Sequence, residues 1–182
     1  MADVPAELCH YYDKEAGPFR SLSDLTQVEA EQVLERIRGQ GDTFASRRAP
    51  EYIRVRLELE ARVRALFVAR GGRPRTWRPH SFTLGSCPWL LSWYKEGREL
   101  RIPLASVDPS VVSFTYGDIF PAMRYADGQP HAGCVFLHDE LAGLIERYGL
   151  PQRVNPDGSR GPKRYIEAQL WDDELVRGLP GR

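Results

Sequence analysis

The chain has 182 residues, 42% of them hydrophobic and 27% charged, with a formal net charge of zero. That balance suits one folded domain with its own core and excludes a wholly disordered protein. The longest apolar runs, such as Ala65-Leu66-Phe67-Val68-Ala69, fall far short of the ~20 residues of a membrane span, and no basic-then-apolar leader opens the chain, so neither export nor anchoring is expected. The three cysteines, Cys9, Cys87 and Cys134, are odd in number and far apart, which predicts no disulfide framework and no zinc site and fits reduced thiols in the cytoplasm.

Residues 8–12 read as a first strand, with a turn at Gly17-Pro18 behind it. Thr26-Gln27-Val28-Glu29 fits a capping box, and Ala30, Val33, Leu34 and Ile37 follow at helical spacing as far as Gly39, so a first helix is predicted there. A second, longer helix is predicted from Pro50, a good first-turn residue, to Gly71-Gly72, with Tyr52, Val55, Leu59, Val63, Leu66 and Phe67 as its apolar stripe. Strands are then expected near 81–84, 99–104, 111–116, 134–137 and 164–171. Between the first two, residues 86–94 predict a short helix capped by Ser86, with Trp89, Leu90 and Trp93 on one face. Residues 139–148 predict a further helix closed by Gly149 and Pro151, and 155–162 are all turn chemistry. With no repeat and no long linker, this order argues for one α+β domain over 1–182.

Phosphate-binding glycine loops, His-Glu-x-x-His and Gly-x-Ser-x-Gly are absent, which lowers metal and serine-hydrolase readings. His80 and His138 border predicted elements, where capping or exposure accounts for them, whereas His10 sits inside a strand between Cys9 and two tyrosines. A lone histidine is more often structural than functional. Alternation places Glu167 with Tyr165 and Gln169, opposite Ile166, Ala168 and Leu170, so it faces either water or a cavity. Asp172-Asp173-Glu174 reads as an exposed acidic turn. Ser113 and Thr115 share a face opposite Val112, Phe114 and Tyr116, where their hydroxyls bond a ligand or meet solvent. The segments around His10, Ser113 and Glu167 are read as three walls of one cleft. Arginines outnumber acids from Arg36 to Arg78; they form either a polyanion-binding face or a solvated helix surface in a chain that prefers Arg to Lys.

In their order along the chain these pieces resemble a known family. The His-Tyr strand, a helix ending near a glycine and the strand-like Thr43-Phe44-Ala45-Ser46 are similar to the opening of mono-ADP-ribosyltransferases. Residues 111–116, followed by Phe120-Pro121-Ala122-Met123, look like the central strand and loop of the DNA-targeting ADP-ribosyltransferase toxins, and Tyr165-Ile166-Glu167-Ala168-Gln169-Leu170 looks like the strand bearing their catalytic glutamate. The chain also resembles small bacterial proteins of uncharacterised function that open with His-Tyr-Tyr and share Ser-Phe-Thr-Tyr and Tyr-Ile-Glu.

The first resemblance implies an ADP-ribosyltransferase-like domain with a mostly antiparallel or split β-sheet and helices packed on it. It implies NAD as substrate and no metal, with ADP-ribose passed to a nucleic acid or protein acceptor. Glu167 and His10 would then be catalytic, Glu167 by stabilising positive charge that develops on the ribose and His10 by holding that ribose. Tyr11, Tyr12 and Tyr116 are candidates to pack on the nicotinamide, and Ser113 joins the binding set. An arginine would grip the pyrophosphate, and Arg20, Arg47, Arg48 and Arg54 stay open for it, with Arg48 taken forward. Ser113-Phe114-Thr115 matches the Ser-Thr-Ser strand of one branch only loosely, and Tyr165 stands where many protein-modifying members carry Glu or Gln, which argues against arginine modification. Two other readings remain: a binding module, using either the cleft or a Trp89, Trp93 and Tyr94 surface, and a nucleic-acid-processing enzyme with His10 and Glu167 as acid and base.

Overall fold

The structure, a computed structural model, describes residues 3–41, 43–124 and 128–179. Five strands, β1 (Glu7–Asp13), β2 (His80–Leu84), β3 (Gly97–Pro103), β4 (Val112–Tyr116) and β5 (Ile166–Leu170), form an antiparallel sheet in the order β3-β1-β2-β5-β4. The helices are α1 (Gln27–Gln40), α2 (Tyr52–Ala69), α3 (Ile119–Arg124), α4 (Leu141–Tyr148), α5 (Pro151–Val154) and α6 (Asp173–Arg177). This is the α+β arrangement expected from the order of elements.

Two layers cover the sheet. On one face Leu8, Phe82, Leu84, Phe114, Ile166, Ala168 and Leu170 pack against Leu141, Leu144 and Ile145 of α4 and Val176 of α6. On the other, Val55, Leu59, Val63 and Phe67 of α2 bury against Ile119, Met123, Val135 and Trp171, following the predicted stripe at helical spacing. Thr26 and Glu29 close the capping box of α1, and Gly41 ends it in the left-handed region at φ 72°. Helix α2 starts two residues after Pro50, which lies in the turn ahead of it.

Several local expectations are corrected. Residues 134–137 form no strand, only a single bridge between Phe136 and Phe114. Phe44–Arg47 is a 3-10 turn capped by Thr43, not an extended segment. Pro88–Trp93 is a 3-10 helix with Cys87 at its cap position; the Ser86 hydroxyl instead donates to Glu99. Asp172 is buried, accepting from the Glu174 N–H and from Arg75, and Asp173 accepts from His80 at 2.8 Å. His80 is thus neither exposed nor a cap.

Much of the basic span bonds to the protein's own acceptors, several of these arginines from the surface. Arg62, Arg64, Arg70 and Arg78 donate to the carbonyls of Met123, Thr76, Val135 and Leu57, and Arg54, Arg56 and Arg75 pair with acids. These guanidinium groups tie α2 and the segment after it to the rest of the chain.

A duplicated pattern flanks β5. Ser81-Phe82-Thr83 on β2 and Ser113-Phe114-Thr115 on β4 run on either side of it, so Thr83, Glu167 and Thr115 form one row across the sheet and Ser81, Gln169 and Ser113 the next. All of β5 is buried. Its polar side chains therefore need internal partners: Ser113 Oγ donates to Gln169 Oε1, Gln169 Nε2 donates to Thr115 Oγ1, and Trp171 Nε1 donates to Ser113 Oγ, each at 2.9 Å. Gln169→Leu keeps the volume but strips partners from two buried hydroxyls, and a loss of about 1–3 kcal/mol is expected, measured as a lower urea midpoint at unchanged slope.

Candidate functional site

Strands β1 and β2 pair over only two positions, Leu8 with Leu84 and Cys9 with Thr83, and then part. Beyond that point β1 continues on β3, and β2 continues on β5. The parting opens one side of a cleft of about 1290 Å³ whose other side is built from Leu22, Val33, Ala45, Tyr52 and Arg56, with Trp93 and Tyr94 at one end. Helices α1 and α2 thus stand over the gap in the sheet.

Glu167 lies in the cleft wall and is only 4% exposed. Its Oε2 accepts the Ile119 N–H at 2.8 Å at the start of α3. Burial, and then the negative Asp118, push its carboxyl up to about 8, with the Ser81 hydroxyl, the Ile119 amide and Arg56 pulling the other way. Asp118 also lines the cleft; Oδ1 accepts the Phe120 N–H at 2.8 Å and Oδ2 accepts the Tyr165 hydroxyl at 2.9 Å. Gly117 makes this placement possible: it turns the chain from β4 toward α3 at φ 106°, and an added Cβ would stand 2.7 Å from the Lys163 side chain.

His10 reaches the cleft differently. Register puts Cys9 in the row of Thr83 and Glu167, so His10, one residue on, belongs to the opposite face. Its Nδ1 is 2.9 Å from the Ser81 carbonyl and its Nε2 accepts the Phe19 N–H at 3.0 Å. The Phe19 amide can only donate, so the ring is neutral with its proton on Nδ1, and burial pushes it down to about 4. His10 therefore bridges β1 and β2 where their ladder stops, and both ring nitrogens are engaged by main chain. Phe19 stacks on it at 4.4 Å from a left-handed backbone, φ 59°, a costly conformation for an aromatic residue.

The other candidates divide. Tyr11 lines the cleft, but its hydroxyl is occupied, donating to Glu99 at 2.7 Å and accepting the Cys87 N–H. Tyr12 lines it with a half-buried ring. Ser113 is fully buried in the β5 network, and Tyr116 sits on the α4 face with its hydroxyl on the Tyr148 and Gly149 carbonyls; neither lines the cleft. Of the four open arginines, Arg20 and Arg48 line it, while Arg54 pairs with Glu58 at the surface. Arg48 lies 4.4 Å over the Tyr52 ring, which stacks on Phe120 at 5.0 Å and 4°. That stack, with Tyr94 nearby, presents flat rings and a cation along one wall. Trp89 and Trp93 are half-buried against each other and Phe44.

No family model, curated protein or solved structure matches the chain. The site is therefore read from its own chemistry. Among the described residues no three His, Cys, Asp or Glu side chains gather as a metal set, and no helix is long and apolar enough to cross a membrane. What the cleft offers is a buried and a half-buried carboxyl, polar hydroxyl and amide groups beside them, stacked rings and Arg48. Sequence reasoning misses Asp118, Ser81 and Tyr52; the twofold occurrence of Ser-Phe-Thr at 81–83 and 113–115 and the Gly-Asp step ahead of a helix are the signals that could have found the first two.

Because its folded value lies above the ordinary one, Glu167 keeps a proton between pH 4.5 and about 8 that the unfolded chain has released. Its share of stability is therefore fully present at the acid end and lost as pH rises to 8. Glu167→Gln retains an acceptor for the Ile119 N–H, so it should remove this slope and gain on wild type at about pH 9 relative to about pH 5, by an amount on the order of a few kcal/mol, read from urea unfolding at both values.

Proposed function

We propose that the protein is an ADP-ribosyltransferase-like enzyme that breaks the bond between nicotinamide and ribose in NAD, with Glu167 as the acting carboxyl. The observation that carries this reading is the burial of Glu167 in the wall of a cleft formed where β1 and β2 part. At about 1290 Å³ the cleft exceeds the ~300–1,000 Å³ of most ligand pockets, which suits a dinucleotide. Aromatic walls suit its flat rings, and Arg48, with no carboxylate paired to it among the described residues, suits a pyrophosphate.

NAD as substrate supplies a glycosidic bond whose cleavage leaves positive charge on the ribose. A carboxyl that is neutral in the empty cleft releases its proton to solvent at the cleft mouth as that charge develops, because the negative form is then favoured beside it. The low polarity that raises Glu167 also strengthens the resulting attraction. His10 takes a different part from the one its resemblance implies: with both nitrogens on main chain, it braces the parted strands. The acceptor is placed in the nucleic-acid or protein class by the resemblance alone.

The test is nicotinamide release from labelled NAD in the presence of cell extract. Wild type is expected to release it, and Glu167→Gln to lose at least a hundredfold in rate, the scale on which a group stabilising transition-state charge acts, about 10²–10³. Absence of release from wild type would sink the reading and favour a binding module. Arg48→Ala is expected to raise KM for NAD about tenfold while leaving kcat nearly unchanged, since it acts on the bound dinucleotide and not on the breaking bond.

A further inference from the structure

Two carboxyl groups meet successive main-chain N–H groups at the step from β4 into α3. Ile119 donates to Glu167 and Phe120 donates to Asp118, both at 2.8 Å, so the two side chains are held against neighbouring peptide units. The second oxygen of Asp118 accepts the Tyr165 hydroxyl at 2.9 Å. Tyr165 stands two residues before Glu167 on the same face of the strand, is 5% exposed, and holds its own proton firmly, because burial and the two nearby acids push its phenol upward. It is thus a fixed donor. Asp118 receives two donated hydrogens, one on each carboxyl oxygen.

We propose that Asp118 is a positioning residue for Glu167: Tyr165 and the Phe120 amide fix its carboxylate beside Glu167, so that the two carboxyl groups hold one proton between them. The inference rests on the reading of Glu167 as the acting carboxyl. The groups facing Glu167 are Asp118 from the turn, Tyr165 from the bend just ahead of β5, Ser81 and Thr83 from β2, Thr115 from β4 and Arg56 from α2. Arg56 is the cation among them, and it is already bound to Glu60 at 2.8 Å and to the Tyr52 hydroxyl at 3.1 Å. Thr115 gives its hydroxyl hydrogen to the Gly117 carbonyl and Thr83 gives its own to Gly85. Glu167 keeps the Ile119 amide and the Ser81 hydroxyl, and Asp118 the Phe120 amide and the Tyr165 hydroxyl, but the one cation facing them is already paired, so two adjacent negative charges in this wall lack a counter-charge and one proton stays with the pair until a ligand brings a cation or hydroxyl group to it.

The experiment follows the Glu167 carboxyl by carbon NMR in the full chain, its resonance assigned by its disappearance in Glu167→Gln. In wild type it titrates well above an ordinary glutamate. In Asp118→Asn, which keeps an acceptor for the Phe120 N–H, the midpoint falls by about one pH unit or more, a tenfold or greater loss of proton affinity. In Tyr165→Phe, which should fold even where Asp118→Asn does not, Asp118 loses its donor and takes over part of the titration, which then divides between the two carboxyl resonances. An unmoved Glu167 midpoint in Asp118→Asn, or an undivided titration in Tyr165→Phe, overturns the proposal. A chain that releases no nicotinamide yet gives these shifts supports the carboxyl pair and sinks the transferase reading.

Discussion

Burial of β5 on both faces is the constraint from which the rest of the structure follows. A strand that packs Ile166, Ala168 and Leu170 into one core cannot leave Glu167 and Gln169 to water, because α2 and the start of α3 cover the other side. Each polar group must then be answered from within the protein. The flanking strands do so with hydroxyls at matching positions, and the turn after β4 does so with the Ile119 main-chain amide. Gln169 is fully absorbed by its partners. Glu167 is not, since it also borders the cleft, and that difference sets apart two polar residues that the strand places on one face.

The parting of β1 and β2 is the second determinant. A continuous ladder would have sealed the sheet beside Glu167; here it lapses after two pairs, and an imidazole supplies the missing inter-strand bond. A histidine suits this work because one nitrogen donates to the Ser81 carbonyl while the other accepts from Phe19. The gap is held open by hydrogen bonding on one side and by stacked rings on the other, so the cleft is a built feature of the sheet and not a packing defect.

Much of this was legible in the residues. Capping at Thr26, the stripe on the second helix and the period-two alternation around Glu167 each report a local preference that the fold keeps, because local and tertiary demands agree there. What alternation does not report is which face is covered. Ser113 and Thr115 follow the same pattern whether they meet water, a ligand or Gln169, and Asp172 reads as a surface acid until Arg75 and the α6 amide are placed against it. The convergence of Asp118 on Glu167 depends on pairing between strands far apart in the chain, and the engagement of His10 depends on where a ladder stops. Neither leaves a trace in spacing. The segment 134–137 has strand-like composition but meets the outer edge of β4 through only one bridging pair.

The guanidinium contacts of α2 explain an oddity of composition. Of 25 basic residues only Lys14, Lys95 and Lys163 are lysines. Carbonyl oxygens at Met123, Thr76, Val135 and Leu57 are reached by planar, multi-donor heads at the end of long stems, a geometry that a single ammonium reproduces poorly. Because these are bonds to neutral oxygens, added salt screens them less than it would an exposed ion pair. The helix layer should accordingly stay seated over the cleft at ionic strengths that strip loosely held polyanions from a protein surface, so that salt thins what gathers on the outside before it loosens the walls.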